Sequence, residues 1–207
     1  MPSHGPYQIA LYVLYSCFTA IRIHYRRKAH HRGALPRWNA DARLLGALIA
    51  FEVATFVVYG LSPAWLCWAE IPLSPPLRWS GSVVGVLSLL LFVWVHQSLG
   101  QNYSPLIALR DDHTLVTRGP YRWVRHPMYS AFYLLHIAVF LLSANAFVGV
   151  TWMAGLTAIV ALRIPAEERM LSGRFGDAYV RYAQKTGCLF PRVLGGKLPL
   201  GQRKVVE

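Results

Sequence analysis

The run Gly119-Pro120-Tyr121-Arg122-Trp123-Val124-Arg125-His126-Pro127-Met128-Tyr129 places two arginines, a histidine and two tyrosines at the start of a long apolar segment. Arg163 and the pair Glu167-Glu168 follow about forty residues downstream. Cations can hold a carboxylate or phosphate, carboxylates can hold an ammonium, and aromatic faces accept a flat ring or a soft cation. Histidine changes charge near neutral pH and can serve either side of such a site. Pro127 suits the first turn of a helix and biases His126 away from helix. His126 is therefore expected at a helix mouth with free backbone N–H groups beside it, a natural seat for an anion.

Those residues need elements to position them. The chain has 207 residues, 55% hydrophobic and 14% charged. Apolar runs recur near the ~20 residues that cross a bilayer. The expected fold is an all-α polytopic membrane protein with about five transmembrane helices, near 6–25, 44–69, 81–98, 128–144 and 146–164. A cytosolic C-terminal helical segment follows. The first run lacks a basic leader and a small-residue cleavage site, and reads as a retained helix. This layout puts 26–43, 99–127 and 165–207 on one side with nearly all the Lys and Arg, Arg78 excepted. That side is then cytosolic, and the N-terminus lies outside. The net charge of +12 is accounted for by topology and anionic head groups, and points away from nucleic acid. Three units follow: N-terminal membrane helices over 1–98, a membrane-embedded core over 99–192, and a basic tail over 193–207.

Only Ser143-Ala144-Asn145 interrupts the last two apolar runs, so they are expected to form a tight antiparallel hairpin. Its cytosolic ends bring Tyr121, Arg125, His126 and Tyr129 toward Arg163, Glu167 and Glu168. Arg163 and Glu167 share a face if helix persists past Pro165, which is expected to stop or kink it. Tyr179 and Tyr182 lie on one face of a further short helix. Glu52, inside an apolar run, reads as a packing carboxylate facing protein, with a substrate-facing group as the alternative, and His96 as a satisfied interface residue. Cys17, Cys67 and Cys188 are far apart and suggest neither a disulfide framework nor a metal site. S-adenosylmethionine fits such a constellation: it offers a zwitterionic amino-acid group, a purine and a sulfonium. A salt-bridge network tethering the tail is the plainer alternative, but the cluster is richer than tethering requires.

The run from Leu115 through Tyr129, with Glu167-Glu168-Arg169-Met170-Leu171, Phe175-Gly176, Tyr179, Tyr182 and Pro191, resembles the isoprenylcysteine carboxyl methyltransferase family, a relative of the phospholipid N-methyltransferases. The resemblance covers roughly residues 97–192. It implies an S-adenosylmethionine site at the cytosolic ends of the last two membrane helices. Leu115, Gly119, Tyr121, His126, Pro127 and Tyr129 would line it, with Arg125 beside them and Glu167 or Glu168 on the cofactor's polar groups. Arg163 would sit near the methyl acceptor; where the acceptor is an amine or thiol and needs a base, Glu167, Glu168 or His126 is the candidate. Ala131 stands where the family often has glycine, which would narrow the pocket slightly. The implied substrate is a lipophilic carboxylate of the isoprenylcysteine type. A phospholipid amine, or a small thiol or amphiphile, is the second choice, ahead of an NADPH-dependent membrane reductase or a non-enzymatic scaffold. The expected location is a bacterial inner membrane or a eukaryotic endoplasmic reticulum. The oligomeric state is left open.

Overall fold

The computed structural model describes residues 5–30, 40–103 and 113–192, and these are helical apart from short connections. Six α-helices follow in order: α1 Gly5–His30, α2 Ala40–Leu61, α3 Pro75–Leu99, α4 Pro127–Ser143, α5 Ala146–Phe175 and α6 Asp177–Lys185. Short 3-10 turns lie at Pro63–Ala69, Gly100–Asn102 and Gly119–Arg122. Two helical stretches, Pro75–Asn102 and Ala146–Phe175, are long and apolar enough to cross a membrane; Leu45–Leu61 and Pro127–Ser143 are shorter apolar helices. The loop 31–39 with Trp38, the stretch 104–112 with Asp111 and Asp112, and the tail 193–207 lie outside the described residues.

Helix α3 packs along α4, and α1 lies across both. Close approach is sequence-encoded. A Cβ on Gly81 would press on Leu141, Leu142 and the Ala138 carbonyl, the small-residue contact that lets apolar helices meet. Leu11, Leu14, Phe18, Phe92, Leu135, Val139 and Trp152 form the core. Ala131 is fully buried in that core, and its carbonyl accepts from Ser88 Oγ at 2.7 Å. Its methyl therefore packs in the core shared with α3 instead of narrowing a pocket.

Three ends differ from expectation. α3 starts at Pro75, ahead of the expected 81, and Pro75 and Pro76 form its first turn, because the ring's fixed φ and missing N–H cost nothing there. The second apolar run breaks at Ser62, and Pro63–Ala69 continues as a 3-10 turn. Pro165 sits inside α5 and does not end it. The carbonyl it deprives of a partner belongs to Ala161, and both residues are exposed. That carbonyl can find water at the membrane edge, so the break is cheap. The segment Glu167–Phe175 is thus one piece with α5. At the opposite end, Asn145 Oδ1 caps α5 through the Val148 N–H at 3.1 Å, and its amide donates to Leu66 O at 2.7 Å.

Glu52 is not alone. Its Oε1 lies 3.2 Å from His136 Nε2, and His136 Nδ1 lies 2.8 Å from the Phe132 carbonyl. A carbonyl only accepts, so Nδ1 carries a proton; the Glu52 contact then needs a second proton between carboxyl and ring. Trp152 Nε1 donates to Thr55 Oγ1 at 2.7 Å, and Tyr59 donates to the Ser143 carbonyl at 3.1 Å. Residues 52, 55 and 59 make one polar stripe that ties α2 to α4 and α5.

Candidate active site

Gly119 begins the site's supporting turn. Its φ is +60°, and an added Cβ would overlap Ser98 Oγ and approach Trp94 Nε1. Its glycine identity serves the seating of this turn on α3. Leu115 is half-buried on the extended stretch before it. After the turn, the chain pairs with the segment beyond α6. Gly187 N–H donates to Trp123 O at 3.0 Å, Arg125 N–H to Gly187 O at 2.8 Å, and His126 N–H to Cys188 O at 3.0 Å. Ser130 Oγ adds a bond to Leu189 O at 2.5 Å. Residues 186–189 are thus a strap across the mouth of α4. Of the backbone N–H groups expected free beside His126, those of Tyr129 and Ser130 donate to the His126 carbonyl at 3.1 and 3.3 Å, and the His126 N–H itself is taken by this strap.

Side chains then converge from α4 and α5. Pro127 is buried and starts α4. Tyr129 donates to Glu167 Oε1 at 2.6 Å, and Arg163 Nε approaches the same oxygen at 3.6 Å. His126 lies between the carboxylates, with Nδ1 3.4 Å from Glu167 Oε2 and Nε2 3.2 Å from Glu168 Oε1. Arg125 Nε donates to that Glu168 oxygen at 2.8 Å, while its Nη1 donates to the carbonyls of Ala183 and Thr186 at 3.0 and 2.7 Å. Tyr182 donates to the Tyr121 carbonyl at 2.7 Å. Tyr179 and Tyr182 share a face as expected, with ring centroids 6.0 Å apart.

The charges are set by these contacts. Burial alone would lower the His126 pKa, but hydrogen bonds to Glu167 and Glu168, with their charges, raise it above the ordinary histidine value. Glu168 lies on the polar turn of α5, beyond the apolar stretch ending at Ile164. Its hydrogen bond from His126, joined by Arg125, outweighs burial and holds it down to about 2. Burial pushes Tyr121 well above the ordinary tyrosine value and Tyr182 up to about 12, so both hydroxyls stay protonated donors.

All the expected site residues except Leu115 and Gly119 thus fall into one linked cluster. Arg125 also has a structural part. Its bonds to Glu168, Ala183 and Thr186 tie α5, α6 and the strap together. Sequence reading did not assign Ser130, which directly follows Tyr129, or Thr186 and Cys188, which lie beyond α6 and carry no local signal. Ligand-type atoms of His126, Glu168 and Cys188 lie within 4.8 Å of one another. That grouping was not expected from cysteine spacing. The Arg125 guanidinium already occupies the Glu168 oxygen a cation would use.

The chain itself has known relatives. The model of the isoprenylcysteine carboxyl methyltransferase (ICMT) family matches residues 82–173. Protein-S-isoprenylcysteine O-methyltransferase A of Arabidopsis thaliana is 30% identical over 132 residues, 60% of this chain and 67% of that protein. The B form is 32% identical over 125 residues, 56% of this chain and 64% of that protein. The chain thus spans a little under two thirds of this second relative's length. The solved structure of a eukaryotic intramembrane Ras methyltransferase, an isoprenylcysteine carboxyl methyltransferase, aligns with TM-score 0.55 at 27% identity, covering 77% of this chain and 56% of that one. The matched region holds both halves of the cluster, from α3 through the Glu167-Glu168 pair, and on this ground the chain belongs to the isoprenylcysteine carboxyl methyltransferase family.

Proposed function

We propose that this protein is an integral membrane methyltransferase using S-adenosylmethionine, with a lipophilic carboxylate of the isoprenylcysteine type as acceptor. One observation carries the reading: His126, Tyr129, Glu167, Glu168 and Arg163 interlock at the polar end of two apolar helices. The donor set fits the cofactor. Glu167 matches its ammonium, His126 orients that carboxylate from Nδ1, and the faces of Tyr121 and Tyr129 match its ring and sulfonium. When bound, it would supply a methyl group whose carbon–sulfur electron pair returns to sulfur as the acceptor oxygen forms the new bond.

The chain's own residues would then do the positioning. Arg163, held loosely by Glu167 at 3.6 Å, would orient an ionised acceptor, which needs no general base. The strap 186–189 and Pro127 would keep water from the cluster. An amine or thiol acceptor would need a base, and Glu167 would serve as it. Five spans with the last two as a hairpin, an external N-terminus and a cytosolic site complete the proposal. The core is 99–192, the preceding helices are 1–98, and 193–207 is a basic tail.

Titration calorimetry of the purified protein with S-adenosylhomocysteine and with NADPH tests this. Binding of the first and not the second is expected. NADPH binding alone would favour a reductase, and binding of neither a scaffold.

A further inference from the structure

The Cys188 thiol has no part in the proposed reaction, yet the strap delivers it to the charged cluster. The His126 N–H donates to the Cys188 carbonyl at 3.0 Å, which fixes residue 188 at the mouth of α4. One ring nitrogen of His126, one carboxylate oxygen of Glu168 and Cys188 Sγ lie within 4.8 Å of one another. His126 is buried, while Glu168 and Cys188 are half-buried, which leaves an ion a way in.

Imidazole, carboxylate and thiolate are zinc-type ligands, and three of them with one open position make a four-coordinate site. The spacing suits such an ion. His126 Nε2 and Glu168 Oε1 are 3.2 Å apart. Two such ligands at zinc bond lengths and a tetrahedral angle stand about 3.3 Å apart. A thiolate ligand would stand about 3.6 Å from each, so Cys188 has to close in by roughly 1 Å. The other side of the imidazole is prepared as well. Its Nδ1 lies 3.4 Å from Glu167 Oε2. A metal-bound histidine commonly gives its second N–H to a carboxylate, which fixes ring and tautomer. With the proton on Nδ1, Nε2 is the nitrogen left to bind.

Arg125 competes for the same place, since its Nε holds Glu168 Oε1 at 2.8 Å. It can yield. Its Nη1 keeps the carbonyls of Ala183 and Thr186, and a divalent ion gains three bonds where the guanidinium loses one.

We propose that His126, Glu168 and Cys188 bind a zinc-type divalent cation, which clips the strap to the mouth of α4 and the polar end of α5. The ion displaces the thiol proton and any proton on His126 Nε2, and both pass to solvent. The contacts of Tyr129 and Arg163 with Glu167 are left as they are, so the inference stands apart from the methyltransferase reading.

Titration with Cd2+ tests this, on detergent-purified protein freed of metal and of any affinity tag. Cadmium–thiolate bonds give an ultraviolet charge-transfer band. Wild type should gain a band that saturates at one equivalent, and Zn2+ should remove it by competition. Cys188→Ser should lose the band while its metal-free melting temperature stays that of wild type. Cys17 and Cys67 remain in both proteins, so the difference isolates Cys188. His126→Ala and Glu168→Gln should each bind Cd2+ at least tenfold more weakly, and Glu167→Ala about tenfold to a hundredfold. Zn2+ should raise the melting temperature of wild type and not that of Cys188→Ser. Absence of a saturable band in wild type would overturn the inference. An equal band in Cys188→Ser would also overturn it, leaving an adventitious ion only. So would wild-type affinity in both His126→Ala and Glu168→Gln.

Discussion

Tyr129 and Glu167, 38 residues apart, meet through a 2.6 Å hydrogen bond that joins the first turn of α4 to the polar end of α5. The bond leaves Glu167 Oε2 facing His126 and Oε1 shared with Arg163. One carboxylate thus links the proposed cofactor side to the proposed acceptor side. Tyr129→Phe should remove that link while keeping the ring. A charge-assisted bond of this kind contributes about 1.5–3 kcal/mol. S-adenosylhomocysteine affinity should fall roughly tenfold, with helix content by circular dichroism unchanged.

The His126–Glu168 pair sets a pH window. The raised His126 pKa stabilises the fold fully below about 6.5, and this contribution is lost as pH climbs through the higher folded value. The lowered Glu168 pKa stabilises fully above the ordinary 4.5 and is lost as pH falls toward about 2. Thermal stability should therefore peak between these limits. His126→Asn should flatten the alkaline limb, read from melting temperatures across a buffer series. An alkaline limb unchanged in that variant would assign it to another group.

Glu52 and His136 should behave as one unit. Removing either leaves its partner buried among apolar helices, whereas removing both leaves nothing unpaired. In a double-mutant cycle with Glu52→Ala and His136→Ala, the double variant should be less destabilised than the sum of the singles. Polar pairs between membrane helices suggest a coupling of about 0.6–2 kcal/mol. Additive losses would show that the pair does not hold α2.

Gly119→Ala tests the supporting turn. A methyl there meets both a positive φ and the Ser98 hydroxyl. Destabilisation of about 1–3 kcal/mol is expected, measured by thermal unfolding. Ser98→Gly in the same background should recover part of it.

Much of this architecture is legible in the sequence because apolar run length and proline position are local signals. Pro127 at the mouth of α4 and the helical register of Arg163 and Glu167 are of that kind. Other features depend on tertiary contact. His136 sits ten residues into an apolar run, and nothing near it names Glu52 as its partner. Arg125 reads as a ligand cation in sequence, but α6 and the strap present the Ala183 and Thr186 carbonyls to it. Pro165 reads as a stop or a kink because the exposure of Ala161, which lets the helix run on, is not written locally.

The central claim is that His126 and Glu167 hold a methyl-donor cofactor at the polar end of α4 and α5. Calorimetric titration with S-adenosylhomocysteine, for wild type and for His126→Ala and Glu167→Ala, tests it most directly. The account predicts saturable one-site binding by wild type and at least tenfold weaker binding by each variant, with helix content retained. Wild-type-like affinity in both variants would contradict it.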